Sequence, residues 1–551
     1  MEKKYSLFAP YIRLVPGLKL VILFFIIVST IASVNHVVAQ TESVIYMPLI
    51  RNDANFNSFY VSKNGDNSDG QTWKTAWNEM DQIDWGILNP GDHVFVDGGA
   101  YSMTYRTPII PQKNGHPGKP IVVQLSAEVG RDGRAILFGG NSIPLPECGQ
   151  KVWDDSEHIE AGLAGIHLIN EIKHIKIDGR KRGGIQVHGW REFGIKFYPD
   201  TIDNGLDDNP SYITLQYLEI YNNGGVGQKN DGVVQDLYYP LSSGAGVKLA
   251  GSHHLLQYLE VHDNAGDAVQ SAFTNPSGGV FNNMDNLTIL DSWFYNQRPH
   301  SGIDNSPPGE VCGVASQSGC DELGAPSMSI DYLYYPQEYP NRKEMFNWCT
   351  HPDGVQIFSS NDFNNMTVKR TFIGPNFMNG MILGDDVDAN HTAWVNNLTL
   401  EDVVITRFTH NAVGMNGPEG QAGESWDFDR VTIYGHYSST NKDTVTLDSD
   451  ALITEHSISN SVMVFGRTKF LDGNIAFDNN CEHRLYSGSI SGREIDPRFG
   501  LIRNQDLFED SLNRDFATVF VENYSVNEPA CAQTGSSVTS ISDLLERFNQ
   551  E

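Results

Sequence analysis

The sequence predicts an all-β fold in which short parallel strands wind into a solenoid, and three observations support this. Apolar residues alternate with polar ones along many short segments, which is the period of a β-strand. The segments recur through most of the chain, and no helical segments separate them, which excludes βαβ units. The shortest repeat, from Gly246 to Ala268, cannot bury its own apolar side chains. Each unit must therefore stack on its neighbours.

One unit consists of a strand, a polar turn, a second strand and a longer turn. The matching central residues of the first strands are 28 to 41 residues apart, except for one interval of 79. That interval is predicted to hold one unmatched unit and an insertion over 297–350. The central residues are Ile177, Leu215, Leu256, Ile289, Val368, Leu400, Phe428 and Ile458.

The N-terminus has the features of a secretory signal. Four basic residues precede an apolar run over 20–34, which is short for a membrane span, and small residues follow it. We therefore predict a cleaved signal peptide over 1–40, a tether over 41–57 and one β-helical domain over 58–551. An uncleaved membrane anchor is the alternative. After cleavage no stable membrane span is expected, and the protein is expected outside the cell or on its surface.

Both ends of the domain are predicted to be capped. Ala76, Met80, Ile83 and Ile87 fit a helical stripe that would cover the first coil. The region from about 481 onwards, which ends in SISDLLERFNQ, is the predicted C-terminal cap.

Charge and cysteines limit the function. The formal net charge of −30 argues against nucleic-acid binding, which needs a basic surface. Six cysteines in an exported chain favour disulfides, and Cys312 and Cys320 are candidates because they bracket one short polar loop.

Several segments near the start resemble a known family. YVSKNG, PGDHVFVDGGAY, HPGKPIVVQ and AILFGGN are similar to the first coils of right-handed parallel β-helix proteins of the pectate-lyase-like superfamily. The resemblance covers the chain from about Phe59. It implies a right-handed parallel β-helix but leaves the chemistry open, since members include pectate, alginate and chondroitin lyases, polygalacturonases, epimerases and non-catalytic surface proteins.

Stacking places equivalent residues of successive units about 4.8 Å apart, so columns of residues define candidate sites. Alignment of the second strands predicts an outward row of Lys196, Lys248, Gln270 and Gln356, which would form the floor of a glycan groove. An ordinary solvated strand face is the alternative. The neighbouring charged column through Lys369, Glu401 and Asp429 is predicted to be a structural ion ladder.

The segment HPDGVQIF carries a second candidate. Asp353 falls in a column of Asp and Asn residues, which favour turns, so it is either a rung of a turn ladder or a catalytic carboxylate near His351. HPDG resembles the NTDG segment of polygalacturonases. The likeness ends at Met378 and Asn379, which stand where the paired aspartates of that family would be.

Two flanking regions complete the predicted site. Asp385, Asp386 and Asp388 form a candidate Ca²⁺ site, with a solvated acidic rim as the alternative; no other cofactor is expected. The insertion supplies flat rings and positive charge for sugars, and its candidate binding residues are Arg298, His300, Tyr334, Tyr335 and Trp348.

Three functions follow from these candidates. A lyase acting on a uronic-acid-containing extracellular polysaccharide would use Lys248 as its base. A glycoside hydrolase would pair Asp353 with Asp385 or Asp386, with His351 tuning or replacing the acid. A non-catalytic glycan-binding or cell-surface protein is the third reading. In each case the expected partner is an extracellular polysaccharide, and the protein is expected to be a monomer.

Overall fold

A computed structural model provides the structure of the chain. It describes residues 56–140, 163–169, 171–190, 192–197, 209–224, 229–230, 233–234, 245–264, 266–271, 284–296, 353–358, 363–374, 377, 379–384, 395–406, 412–416, 425–434, 443–447, 456–464, 467–470, 475–483, 499–501, 534–537 and 541–548. The predicted signal peptide and nearly all of the tether lie outside these ranges. The domain boundaries therefore stay a prediction.

Three long sheets, in which every described strand pair is parallel, make up the described part of the chain. The first contains Ser58–Val61, His93–Val96, Ile121–Leu125, Lys173–Asp178, Ser211–Gln216, His254–Gln257, Asp285–Leu290, Phe363–Lys369, Val395–Glu401, Asp427–Asp429, His456–Ser459 and Ile475–Asp478. The second contains Ser102–Tyr105, Arg134–Phe138, Ile185–His188, Leu218–Tyr221, Glu260–His262, Trp293–Tyr295, Phe372–Ile373, Val404–Thr406, Thr432–Tyr434, Val462–Val464, Asn480–His483 and Phe499–Leu501. The third contains Ala164–His167, Phe193–Lys196, Val247–Leu249, Val269–Ser271, Val355–Phe358, Met381–Gly384, Val413–Asn416, Asp443–Leu447 and Arg467–Phe470.

The chain visits the three sheets in turn. For example, Ser211–Gln216 of the first sheet leads to Leu218–Tyr221 of the second, Val247–Leu249 of the third, and back to the first. The fold is a parallel β-helix. Lys229–Asn230 and Val233–Val234 form a separate, small antiparallel pair.

The interior confirms the predicted repeat. The eight central residues of the first strands lie in one continuous register from Ile177 to Ile458, and each is at most 1% exposed. The prediction of an unmatched unit in the long interval is wrong, because Ile289 pairs directly with Val368. The interval is a single coil that lengthens between Trp293–Tyr295 and Val355–Phe358, where extra chain leaves the register of the sheets unchanged.

The predicted caps differ from what the described residues form. At the N-terminal end there is a single 3₁₀ turn, Met80–Gln82, instead of a helical stripe. Ala76, Met80 and Ile83 are buried as expected, but Ile87 is 42% exposed. Trp77 forms a strand-like bridge with Val61, which holds the backbone before that turn out of a helix.

At the other end, the chain beyond 481 adds a further strand, Phe499–Leu501, to the second sheet. The α-helix Ile541–Arg547 and the residues before it lie along the side of the solenoid. The amide of Ser537 donates to Asp402 at 2.8 Å, and the ring of Phe548 packs edge-on against Tyr258 at 5.4 Å. This segment therefore spans several coils. In the described part of the chain, neither helix is long and apolar enough to cross a membrane.

The corner between the first and second sheets carries the predicted ion ladder. Lys369, Glu401 and Asp429 share one register, and Lys369 Nζ lies 2.6 Å from Glu401 Oε2. The next residue, Arg370, donates two hydrogen bonds of 2.6 Å to the buried Asp291. These contacts confirm a structural role, since each cation is held by a carboxylate of a neighbouring coil.

Candidate functional site

The predicted polar row exists on the outward face of the third sheet. Lys196 pairs in register with Lys248, Lys248 with Gln270, and Gln270 with Gln356. His167 precedes Lys196 in the same row. Sequence reasoning missed His167, because its strand Ala164–His167 was not among the repeats that were aligned.

The row is buried. Lys196 is 3% exposed, Lys248 4%, Gln270 2% and Gln356 8%. Long polar side chains on a solvated strand face would be far more exposed, so the alternative of an ordinary solvated face is wrong. Two lysines therefore stand side by side in adjacent coils of a chain whose net charge is −30.

A directed chain of hydrogen bonds runs along this row. Lys248 Nζ donates to Gln270 Oε1, and Gln270 Nε2 donates to Gln356 Oε1 at 2.5 Å. Gln356 Nε2 in turn donates to Asp353 Oδ2 at 3.3 Å. This chain of hydrogen bonds begins at the ammonium group of Lys248 and ends at the carboxylate of Asp353. The NH₂ groups of Gln270 and Gln356 both point towards Asp353.

Asp353 is also a rung of the predicted turn ladder. Its backbone amide donates to Asp267 Oδ1 at 2.7 Å. Its Oδ1 accepts from the backbone amide of Asn379 at 2.9 Å and from Asn379 Nδ2 at 2.8 Å. Asp353 is completely buried. The hydrogen bonds therefore support the ladder reading, and they also join the ladder to the polar row.

The other predicted site residues lie outside the described residues and stay predictions. They comprise the histidine beside Asp353, the acidic Ca²⁺ candidates, the binding residues of the insertion and the disulfide candidates. In that order, these are His351; Asp385, Asp386 and Asp388; Arg298, His300, Tyr334, Tyr335 and Trp348; and Cys312 and Cys320.

A second polar cluster, which was not predicted, lies on the outward face of the second sheet. Arg182 donates to both oxygens of Glu260 at 2.8 and 3.0 Å, and the Tyr295 hydroxyl donates to Glu260 Oε1 at 2.9 Å. His262 Nδ1 lies 2.8 Å from Asp263 Oδ2, and its Nε2 lies 3.5 Å from Glu219 Oε1. The repeated YLEIY and YLEVH segments carried a signal for this cluster, since both place a glutamate at the same position.

Hydrogen bonds hold His262 and Glu219 of this cluster in their charged forms. Burial disfavours the imidazolium of His262, but hydrogen bonds to Asp263 and Glu219 outweigh it and raise the pKa of His262 to about 9. Burial would raise the pKa of Glu219, but hydrogen bonds from His262 and Gln186 lower it instead. Glu219, Glu260 and His262 offer ligand atoms within 4.8 Å of one another, as a metal site would. A metal ion bound here would have to displace a proton from His262, since both nitrogens of an imidazolium carry protons.

Aromatic rings beside the cluster stack in a ladder. The rings of Phe138, His188, Tyr221, His262 and Tyr295 follow one another at centroid distances of 4.7 to 5.1 Å. Arg106 covers the face of Phe138 at one end, and Trp293 packs on Tyr295 at the other. Because the ring faces are already in contact, the ladder offers sugars only ring edges.

The raised pKa of His262 predicts a loss of stability at alkaline pH. The stabilising interaction is fully present below the ordinary histidine pKa of 6.5 and is lost as pH rises through about 9. We expect the free energy of unfolding to fall between these values in the parent protein. The glutamine variant His262→Gln should show a smaller fall, measured as urea midpoints across this range. Equal slopes for the two proteins would contradict the assignment.

The chain matches no protein-family model and no curated protein. Among solved structures it is similar to the pectate lyase Pel9A, with 12% identity, a TM-score of 0.35, and coverage of 77% of this chain and 79% of the other. An alginate lyase from Paenibacillus sp. str. FPU-7 gives 12% identity, a TM-score of 0.31, and coverage of 71% and 93%. Endopolygalacturonase I from Stereum purpureum gives 11%, 0.30, and coverage of 71% and 88%. The fold assignment rests on the three parallel sheets of the chain itself.

Proposed function

We propose that this chain is an extracellular carbohydrate-active enzyme that cleaves a uronic-acid-containing polysaccharide by β-elimination on the outer face of the third sheet. The observation that carries the proposal is the buried, hydrogen-bonded row in which Lys196 and Lys248 stand in adjacent coils. An acidic sugar needs local positive charge to approach a chain of net charge −30, and these two lysines supply it.

The row contains groups suited to both halves of the reaction. Lys196 would pair with the uronate carboxylate and stabilise the negative charge that develops beside it. Lys248 donates to Gln270 as an ammonium, and only in the fraction of molecules in which its amine is neutral would it take the proton from the carbon next to that carboxylate. The electron pair of the C–H bond then forms the new C=C bond, and the glycosidic C–O bond breaks. The leaving oxygen takes up a proton from solvent or from an acid of the site.

The hydrolase alternative fits the row less well. Asp353 would have to act as an acid or a nucleophile, yet its Oδ1 accepts two hydrogen bonds and its Oδ2 accepts a third. The burial of the row does not separate a lyase from a purely binding surface, because in both cases the glycan must reach these side chains, so the assays below decide between the two.

A panel of acidic and neutral glycans tests the proposal. The unsaturated uronic product absorbs in the near ultraviolet, and each cleavage also creates a reducing end. We expect both signals to rise together on at least one acidic glycan and neither to rise on neutral glycans. Reducing ends without absorbance would replace the lyase with a hydrolase. Silence in both assays, with glycan binding retained, would favour the non-catalytic reading.

A further inference from the structure

We infer that Asp353 is a positioning residue, which sets the protonation preference of Lys248 through the amides of Gln356 and Gln270. The consequence for catalysis rests on the proposed function, but the geometry does not. Asp353 is the fixed end of the hydrogen-bond chain, because a carboxylate can only accept and Gln356 must therefore present its NH₂ group to it.

The orientation of one amide dictates that of the next. With its NH₂ turned towards Asp353, Gln356 offers its oxygen to Gln270, whose NH₂ donates to it. Gln270 then has its oxygen turned towards Lys248, which is the arrangement that an ammonium group requires. The carboxylate thus favours the protonated lysine three hydrogen bonds away.

Replacing Asp353 with asparagine would reverse the direction of the hydrogen bonds from Asp353 to Lys248 while keeping those of the turn ladder. Oδ1 of the new side chain can still accept both hydrogen bonds from Asn379. An NH₂ group then occupies the place of Oδ2 and faces the NH₂ group of Gln356. The conflict is relieved if both glutamine amides turn over, which presents an NH₂ group to Lys248. That arrangement disfavours the ammonium and favours the neutral amine, whose lone pair can accept.

The experiment measures the reactivity of Lys248 directly. Trace labelling with isotope-coded acetic anhydride, read by mass spectrometry from neutral to alkaline pH, reports the neutral amine without any need for catalysis. We expect Asp353→Asn to raise the labelling of Lys248 at neutral pH by about tenfold, as loss of a hydrogen bond to a charged group implies. If the glycan assay is positive, the acidic limb of the pH–rate profile should move to lower pH as well.

Two further variants distinguish an effect carried through the hydrogen-bond chain from the effect of simply removing a negative charge. In the Gln356→Met background the chain is already broken, so Asp353→Asn should no longer change the labelling. In the double variant Asp353→Asn with Gln356→Glu, the new carboxylate accepts from both neighbours and restores the parent orientation. Labelling should then return to the parent level. Melting temperatures of all variants verify that each one folds.

The outcomes are decisive in both directions. Unchanged labelling in Asp353→Asn, or an equal increase in the Gln356→Met background, would overturn the inference. The expected labelling pattern in a protein that cleaves no glycan of the panel would support the inference and sink the proposed function. The matched control is Gln257→Glu in the first sheet, where Gln216 donates to Gln257 Oε1 at 2.7 Å. This change keeps the acceptor and should leave Lys248 unaffected.

Discussion

Replacing Lys248 with alanine is expected to lower the rate of β-elimination by about 10²- to 10⁴-fold, the usual contribution of a general base. Lys248 lies between Lys196 and Gln270 in the row and is 4% exposed. Its loss removes the proposed proton acceptor while its neighbours in the sheet remain. The measurement is the initial rate of product absorbance on the most reactive glycan, with the melting temperature as a check on folding.

The arginine variant separates a base from a binding charge. Arg keeps the positive charge but stays protonated at any working pH, so Lys248→Arg should be nearly as slow as Lys248→Ala. Activity close to the parent level in Lys248→Arg would mean that this position only binds the substrate carboxylate. The matched control is Lys369→Ala, which removes a lysine from the ion ladder of the first sheet and should leave the rate unchanged.

Replacing Gly354 with valine is expected to cost about 3 kcal/mol of stability, the upper part of the usual range for overpacking. A Cβ at this position would lie 2.3 Å from Ile373 Cγ2 and 2.5 Å from the backbone oxygen of Gly380. Gly354 follows Asp353 and is adjacent in the chain to the strand that holds Gln356. The same substitution should therefore also disturb the polar row. Urea midpoints of variant and parent give the comparison.

The alanine variant is the control for this prediction. Ala268 and Ala412 show that the same column holds a methyl group in other coils, but the Cβ of an alanine at 354 would itself meet Ile373 Cγ2 and the Gly380 oxygen. Gly354→Ala should therefore already cost about 1 kcal/mol, and the two further methyl groups of valine should add to that cost. A valine variant as stable as the alanine variant would show that the coil can widen here and would contradict the packing argument.

Features that depend on residues close together in the sequence could be predicted from it, whereas features that depend on residues far apart in the sequence could not. The alternation along each strand is local, so it identified the repeat, the register from Ile177 to Ile458, and the row from Lys196 to Gln356. The helical stripe predicted from Ala76 was wrong because it, too, rested on local spacing alone. Apolar spacing there also suits an irregular buried segment, and the bridge from Trp77 to Val61 depends on a strand earlier in the chain.

Only the tertiary structure decided how the columns interact. Asp353 looked like either a turn residue or an acid, and the choice depended on the side-chain orientations of Asn379 and Gln356, in another coil and in the next strand. The network of Glu219, Glu260 and His262 likewise joins residues of adjacent coils with an arginine from a third. Sequence periodicity determines which residues share a face. The direction of a hydrogen bond and the burial of a side chain depend on other side chains that are distant in sequence. A local sequence pattern therefore does not contain this information.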